Sequence, residues 1–135
     1  MNKIIKCSDL KLKIFIEDTD FQGVVYHSNY LKFFERARSE FLSQNNISHK
    51  RLRDTNLAFV IKKINLEYIS AAELGQNLIV KSSVERSSNA RMVFNQEIVD
   101  ENNKKYIKGI IDICLINLET KKPQKFPDDL LLIFE

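Results

Sequence analysis

The sequence predicts an α+β fold, a mainly antiparallel sheet laid against one long helix. Three observations predict it. From Ser28 onward, Tyr30, Phe33, Phe34, Ala37, Phe41 and Leu42 recur at spacings of three and four, drawing one aromatic stripe down a helix. Beyond residue 56, period-two alternation takes over and is broken only by short polar turns. A single strand-like stretch precedes the helix, so the strands come as a run and do not alternate with helices.

Residues 1–8 read as a short lead-in. Leu10, Leu12, Ile14 and Ile16 then alternate with Lys11, Lys13 and Phe15, which predicts a half-buried strand. The helix is expected to start at Ser28 or Asn29. Both are good N-caps, because a short polar side chain can accept from a free first-turn amide. It is expected to end near Asn45–Asn46, where asparagine takes the left-handed cap. Ser48 is placed to cap one short helical turn, and His49, among Lys50, Arg51 and Arg53, reads as a solvated loop residue. Residues 57–69 return to strand, with Ile64, Leu66 and Tyr68 on one face and Lys63, Asn65 and Glu67 on the other. A bend over Ala71–Gln76 uses Gly75; Leu78, Val80, Ser82 and Val84 form the inner face of the next strand. Arg86–Ala90 is a Ser/Asn-rich hairpin connection, Met92 to Ile98 the following strand, and Asp100–Asn103 a tight turn. The last strand, Lys105–Leu118, is apolar on both faces around Ile110–Ile116, as expected of a strand covered on both sides. Phe126 and the run Leu130–Phe134 form an apolar ending that docks as a short helix or meets a partner. With the helix covering one face, the other sheet face is expected to leave apolar surface wet. That predicts a symmetric dimer.

A chain of 135 residues, 44% apolar and 29% charged, is one domain over residues 1–135 with room for a real core. A net charge of +3 suits an anionic ligand but is too weak to indicate nucleic acid, and no basic recognition helix is present. Two cysteines, Cys7 and Cys114, and no export signal point to a reducing cytoplasm. No apolar stretch is long enough to span a bilayer. His27 and His49 lack any metal-ligand spacing, and no metal or cofactor is expected.

The chemistry concentrates in Asp18–Arg38, DTDFQGVVYHSNYLKFFERAR. Gly23 permits a turn that other residues resist, so Asp20 and His27 sit on a loop delivered to a helix N-terminus. Free amides and a partial positive charge there suit an oxygen on which negative charge develops during acyl transfer. A nearby carboxylate then serves as nucleophile or as general base on water. Asp18 reads as a turn residue.

The stretch EDTDFQGVVYHSNYLKFFERAR resembles the signature of hotdog-fold acyl-CoA thioesterases, in the YbgC-type branch of the 4-hydroxybenzoyl-CoA thioesterase family. NLEYISAAELGQNLIVKSSVERSSNARMVFNQEIV resembles the later strands of that family, so the resemblance covers nearly the whole chain. It implies a curved sheet around the helix and dimers or tetramers with active sites at the interface. It implies Asp20 as the catalytic carboxylate and His27 as a second active-site residue. The amide near Tyr26 and His27 would polarise the thioester carbonyl, with Val25 and Tyr26 beside the substrate. Phe21-Gln22 stands where small residues, often Ala-Gly, are usual in the family, a departure at the acyl entrance. Arg86 and Arg91 flank the hairpin and are candidates for CoA phosphates.

The expected reaction is hydrolysis of acyl-CoA to free acid and CoA thiol. A thiolate leaves readily, so no strong general acid is needed. Two alternatives stand beside it: a hotdog dehydratase acting on hydroxyacyl thioesters, and a low-turnover module that docks acyl carrier protein or a lipid-synthesis complex.

Overall fold

The computed structural model describes residues 3–135; the first two residues of the expected lead-in lie outside the described residues. Two short strands, β1 (Ile4–Lys6) and β2 (Leu10–Lys13), open the chain, followed by one 3-10 turn at Ile16–Asp18. The long helix α1 (Asn29–Gln44) and the short α2 (His49–Asp54) come next. Four long strands follow, β3 (Leu57–Tyr68), β4 (Asn77–Arg86), β5 (Arg91–Val99) and β6 (Lys105–Asn117), and α3 (Asp128–Ile133) ends the chain. The six-stranded sheet runs β1-β4-β5-β6-β3, with β2 also pairing β4. Every pairing is antiparallel.

The aromatic stripe decides the architecture. Tyr30, Phe33, Phe34, Ala37, Phe41 and Leu42 are all buried, and they rest on the inner faces of the strands. Leu78, Val80 and Val84 of β4 and Met92, Phe94 and Ile98 of β5 form these inner faces in the expected alternation, and Ile107, Ile111 and Leu115 of β6 join them. Each fully buried side chain of this size contributes about 1.5–3 kcal/mol, so the helix is held mainly by what it covers. A bulge between Ile61 and Lys63 slips the β3–β6 register by one residue. Phe59 before it and Ile64 after it therefore both pack on the core, although they lie an odd number of residues apart.

Four expectations are corrected. Residues 4–6 are not lead-in but strand, paired with Glu85 to Ser83 of β4. Ile16 does not continue the inward alternation. The chain tightens into the 3-10 turn there, and Ile16 is 77% exposed. Neither Ser28 nor Asn29 caps α1: Ser28 has helical dihedrals and makes no side-chain cap bond. The outer sheet face is not broadly apolar. Its middle carries Lys81, Glu97, Lys108 and Glu67, and Ile110, expected to be covered, is 49% exposed. Other turn expectations hold. Asn46 is left-handed (φ 63°) past α1, Ser48 Oγ accepts from Arg51 N–H at 3.1 Å, Gly75 has φ 88°, and the apolar ending docks as α3 with Leu130 fully buried. Both cysteines are buried thiols.

Candidate active site

Residues 18–26 form a hairpin pinned at its base. Thr19 and Val25 bridge antiparallel, Asp20 N–H donates to Val24 O at 2.9 Å, and Gly23 N–H to Asp20 O at 3.0 Å. Gln22 N–H donates to Asp20 Oδ1 at 2.8 Å, so one carboxylate oxygen closes the tip. Gly23 has φ 81°, a conformation that resists any other residue. The hairpin docks on the β3–β4 connection: Val25 N–H donates to Ala72 O at 2.8 Å and Leu74 N–H to Gly23 O at 3.0 Å.

Asp18 is the strut beneath it. At 6% exposure, its Oδ2 accepts from Phe15 N–H and its Oδ1 from the Asn29 side-chain amide, both at 2.9 Å. The turn role expected for Asp18 is thus found. The Asn29 bond is what the sequence did not show; Asn29 is already the first residue of α1 and its side-chain amide donates to Asp18. A second tie holds the same corner, where Tyr68 Oη donates to His27 O at 3.0 Å. A third is buried Tyr30, whose hydroxyl accepts from Ala72 N–H at 3.2 Å. Burial, ahead of other effects, raises the Tyr30 pKa and keeps it a neutral phenol.

The start of α1 is therefore bare. No side chain caps it and no acid stands in its first turn. The Tyr26 amide is taken, donating to Asp18 O at 2.9 Å, and Asn29 N–H donates to Tyr26 O at 2.8 Å. Among the described residues, the His27 and Ser28 amides have no acceptor within the chain. Of the Tyr26–His27 pair expected to offer an amide, only His27 still has one to give. Asp20 is carried on the hairpin arm before Gly23, and His27 follows the other arm, directly before α1 with its positive end.

The remaining candidates divide. Val25 is buried, packed in the core, while Tyr26 is half exposed with its ring 4.5 Å from that of His27. Arg86 and Arg91 lie at the far end of β4 from the hairpin dock. The ten residues of β4 span roughly 30 Å at about 3.3 Å per residue. Within one chain they do not meet Asp20. Arg91 pairs with Asp112, and Arg86 Nη1 donates to Asn89 Oδ1 at 2.8 Å. His49 is exposed, as expected, at the first position of α2, and its Nε2 lies 3.1 Å from Ser39 Oγ. A collar of exposed apolar side chains surrounds the hairpin. Phe21 is 97% exposed at the tip, and Tyr68, Ile69 and Leu74 are about half exposed nearby.

One polar cluster in the core had no sequence signal. Arg38 Nη1 donates to Gln96 Oε1 at 2.9 Å, and Gln96 Nε2 donates to Ser82 Oγ at 2.9 Å and to Phe34 O at 3.1 Å. Burial lowers the Arg38 pKa. It locks the helix to the sheet centre and does not join the hairpin.

Comparison with known proteins identifies the family. The family model of the thioesterase-like superfamily matches residues 15–134. The acyl-CoA thioesterase YbgC of Haemophilus influenzae is 36% identical over 91% of this chain and 90% of its own length. The acyl-CoA thioester hydrolase YbgC of Escherichia coli O157:H7 is 31% identical over 92% of each. The crystal structure of a "probable thioesterase" from Bartonella henselae superposes with a TM-score of 0.82 at 33% identity, over 89% of this chain and 98% of that one. The chain belongs to the thioesterase-like superfamily, as a YbgC-type enzyme of the hotdog fold that hydrolyses acyl-CoA thioesters.

Proposed function

We propose that Asp20 supplies the carboxylate for this hydrolysis and that the His27 and Ser28 amides hold the thioester oxygen. The observation that supports this is the bare start of α1, which the hairpin that pins Asp20 leads into. Preorganised amides aimed at a developing oxyanion act without reorganisation at the moment of reaction. Asp20 either attacks the carbonyl carbon or takes a proton from the attacking water. Its Oδ1 accepts from Gln22 N–H and its Oδ2 has no partner in the chain among the described residues. The His27 imidazole, exposed beside Tyr26, borders the acyl entrance with Val25 at its floor.

Residues 1–135 act as one thioesterase domain and work as a homodimer. β3 is the last strand of the sheet on its side and is twelve residues long. It keeps Ile61 and Tyr68 half exposed, and long edges of this kind are normally covered. Pairing β3 with its copy about a two-fold axis covers both edges and brings a second chain against the Tyr68 end, where α1 begins. The apolar collar then walls the acyl group. Arg86 is the arginine better placed to meet CoA phosphates, and it does so for the partner's site; Arg91 is engaged by Asp112. The reaction belongs to cytoplasmic thioester and lipid metabolism. No helix among the described residues is long and apolar enough to cross a membrane.

The test is thiol release from acetyl- to palmitoyl-CoA and benzoyl-type CoAs, with wild type and Asp20→Asn side by side. Wild-type release that falls by roughly 10²-fold or more in the variant is expected. Undiminished release from Asp20→Asn removes the carboxylate from the mechanism. No release from any CoA, with turnover of acyl carrier protein thioesters, moves the substrate to the carrier protein.

A further inference from the structure

Arg38 lies in the interior with a charge that nothing in the chain answers. It is 8% exposed, and its Nη1 donates to the neutral amide oxygen of Gln96 at 2.9 Å. Among the described residues its Nε and Nη2 have no acceptor, and no carboxylate lies within ion-pair distance of it. The Glu35 carboxylate, one turn back on α1, acts on it only from a distance. A guanidinium keeps its charge at any ordinary pH, and a buried cation normally has an anion beside it. The hydrolytic site does not supply that anion. Arg38 stands roughly 15 Å along α1 from the His27 and Ser28 amides, at about 1.5 Å per residue.

A cavity of about 340 Å³ lies between α1, α2 and β3, with Arg38 in its lining. That is the small end of the range for ligand pockets, about 300–1,000 Å³. Its apolar wall is Leu42, Phe59, Val60 and Ile113. Its other polar groups are few. Ser39 Oγ and His49 Nε2, 3.1 Å apart, stand on the side of the two helices, and exposed Glu35 completes the lining. A buried cation, a hydroxyl and an apolar wall in so small a space select a molecule with a negative head and a short apolar body. The planar fork of a guanidinium matches a carboxylate. A phosphate would bring nearly twice the charge toward Glu35.

We propose that this cavity binds a small monocarboxylate with an apolar tail, its carboxylate on Arg38 and Ser39 and its tail on Phe59, Val60 and Ile113. The free acid released by acyl-CoA hydrolysis belongs to this class, so the enzyme holds a product at a place separate from its chemistry. The site uses residues of one chain. It rests neither on the role of Asp20 nor on the pairing of β3. Glu35 opposes the ligand by like charge, so its neutralisation tightens binding.

The test is titration calorimetry on the full chain with hexanoate and benzoate, beside hexanol and benzyl alcohol as neutral counterparts. One acid per chain is expected, with each alcohol weaker by about tenfold or more, since the bond to a charged partner is the strong one. Arg38→Met is expected to weaken each acid to the level of its alcohol. That variant leaves Gln96 Oε1 without its donor, so circular dichroism checks its fold. Glu35→Gln, at an exposed position, carries the test if Arg38→Met does not fold. It is expected to tighten the acids about two- to fivefold in low salt and to leave the alcohols unchanged. That gain is expected to shrink in about 0.5 M salt. Asp20→Asn is expected to bind the acids as the wild type does. No acid binding, acid and alcohol bound alike, or acids indifferent to Glu35→Gln overturns the proposal. Loss of acid binding in Asp20→Asn puts the acid in the hydrolytic site and overturns it as well. Thiol release that survives Asp20→Asn while acid binding is unchanged removes the carboxylate from the mechanism and leaves this site standing.

Discussion

Asp18 and Asp20 stand two residues apart on one hairpin and carry different burdens. Asp18 is buried with both oxygens bonded, to Phe15 N–H and to the Asn29 amide. Removing an acceptor from buried donors costs about 1–3 kcal/mol. Asp18→Ala is therefore expected to lose stability of that order in urea unfolding, whereas Asp20→Asn stays near wild type there and loses activity. Equal stability losses in both variants would contradict the division. Cys7 gives a second residue-scale prediction. Burial, opposed in part by nearby Lys6, raises its thiol pKa from 9.0 to about 11. The folded chain holds that proton after the unfolded chain has lost it. The contribution of Cys7 is fully present below pH 9 and is lost as pH rises toward 11. Unfolding series at pH 8 to 11 should show a smaller decline for Cys7→Ala than for wild type. The residue types at this site were legible from the motif, but their wiring was not. Ser28 and Asn29 read as caps because capping preference is local. In the fold Ser28 takes helical dihedrals and makes no cap bond, and Asn29 lies inside the helix with its side-chain amide donated to Asp18.

At the scale of elements, pattern carried further. The helical stripe and the period-two strands placed α1 and β3–β6 within a residue or two, since both rest on which face is buried. What the pattern could not carry was a register slip. The bulge at Ile61/Lys63 leaves each half of β3 alternating correctly by itself, and only the pairing with β6 exposes it. Nor could it show why Gly109 sits in the middle of a buried strand. A Cβ there would lie 2.9 Å from Leu66 Cδ2, 3.0 Å from Phe34 Cε2 and 3.2 Å from Ile111 Cδ1. Glycine is what lets α1 approach β6 at Phe34. Overpacking of this kind costs typically about 1–3 kcal/mol. Gly109→Ala is expected to lower the urea midpoint accordingly, and Gly109→Ala with Leu66→Ala is expected to recover part of it relative to Leu66→Ala alone. Full tolerance of the alanine would mean that the helix–sheet spacing has slack.

At the scale of the whole molecule, the sequence argued for association from a wet apolar face, and the structure moves that argument to a different place. The outer face is charged in its middle; much of the uncovered apolar surface lies at the hairpin collar and along the β3 edge. Both reach the start of α1, where Tyr68 Oη donates to His27 O, so the surface proposed for a partner adjoins the one proposed for substrate. A site completed by a second chain has a consequence that a self-contained site lacks. Diluting the wild type until light scattering reports single chains should lower thiol release per chain, while circular dichroism stays that of the folded protein. Excess Asp20→Asn chain, inactive by itself, should then restore release. Each wild-type chain would find a partner that supplies an intact wall while contributing no carboxylate of its own. Activity per chain that does not change on dilution into monomers, or dilute enzyme that Asp20→Asn cannot rescue, would show that Asp20 and the amides of α1 work without a second copy.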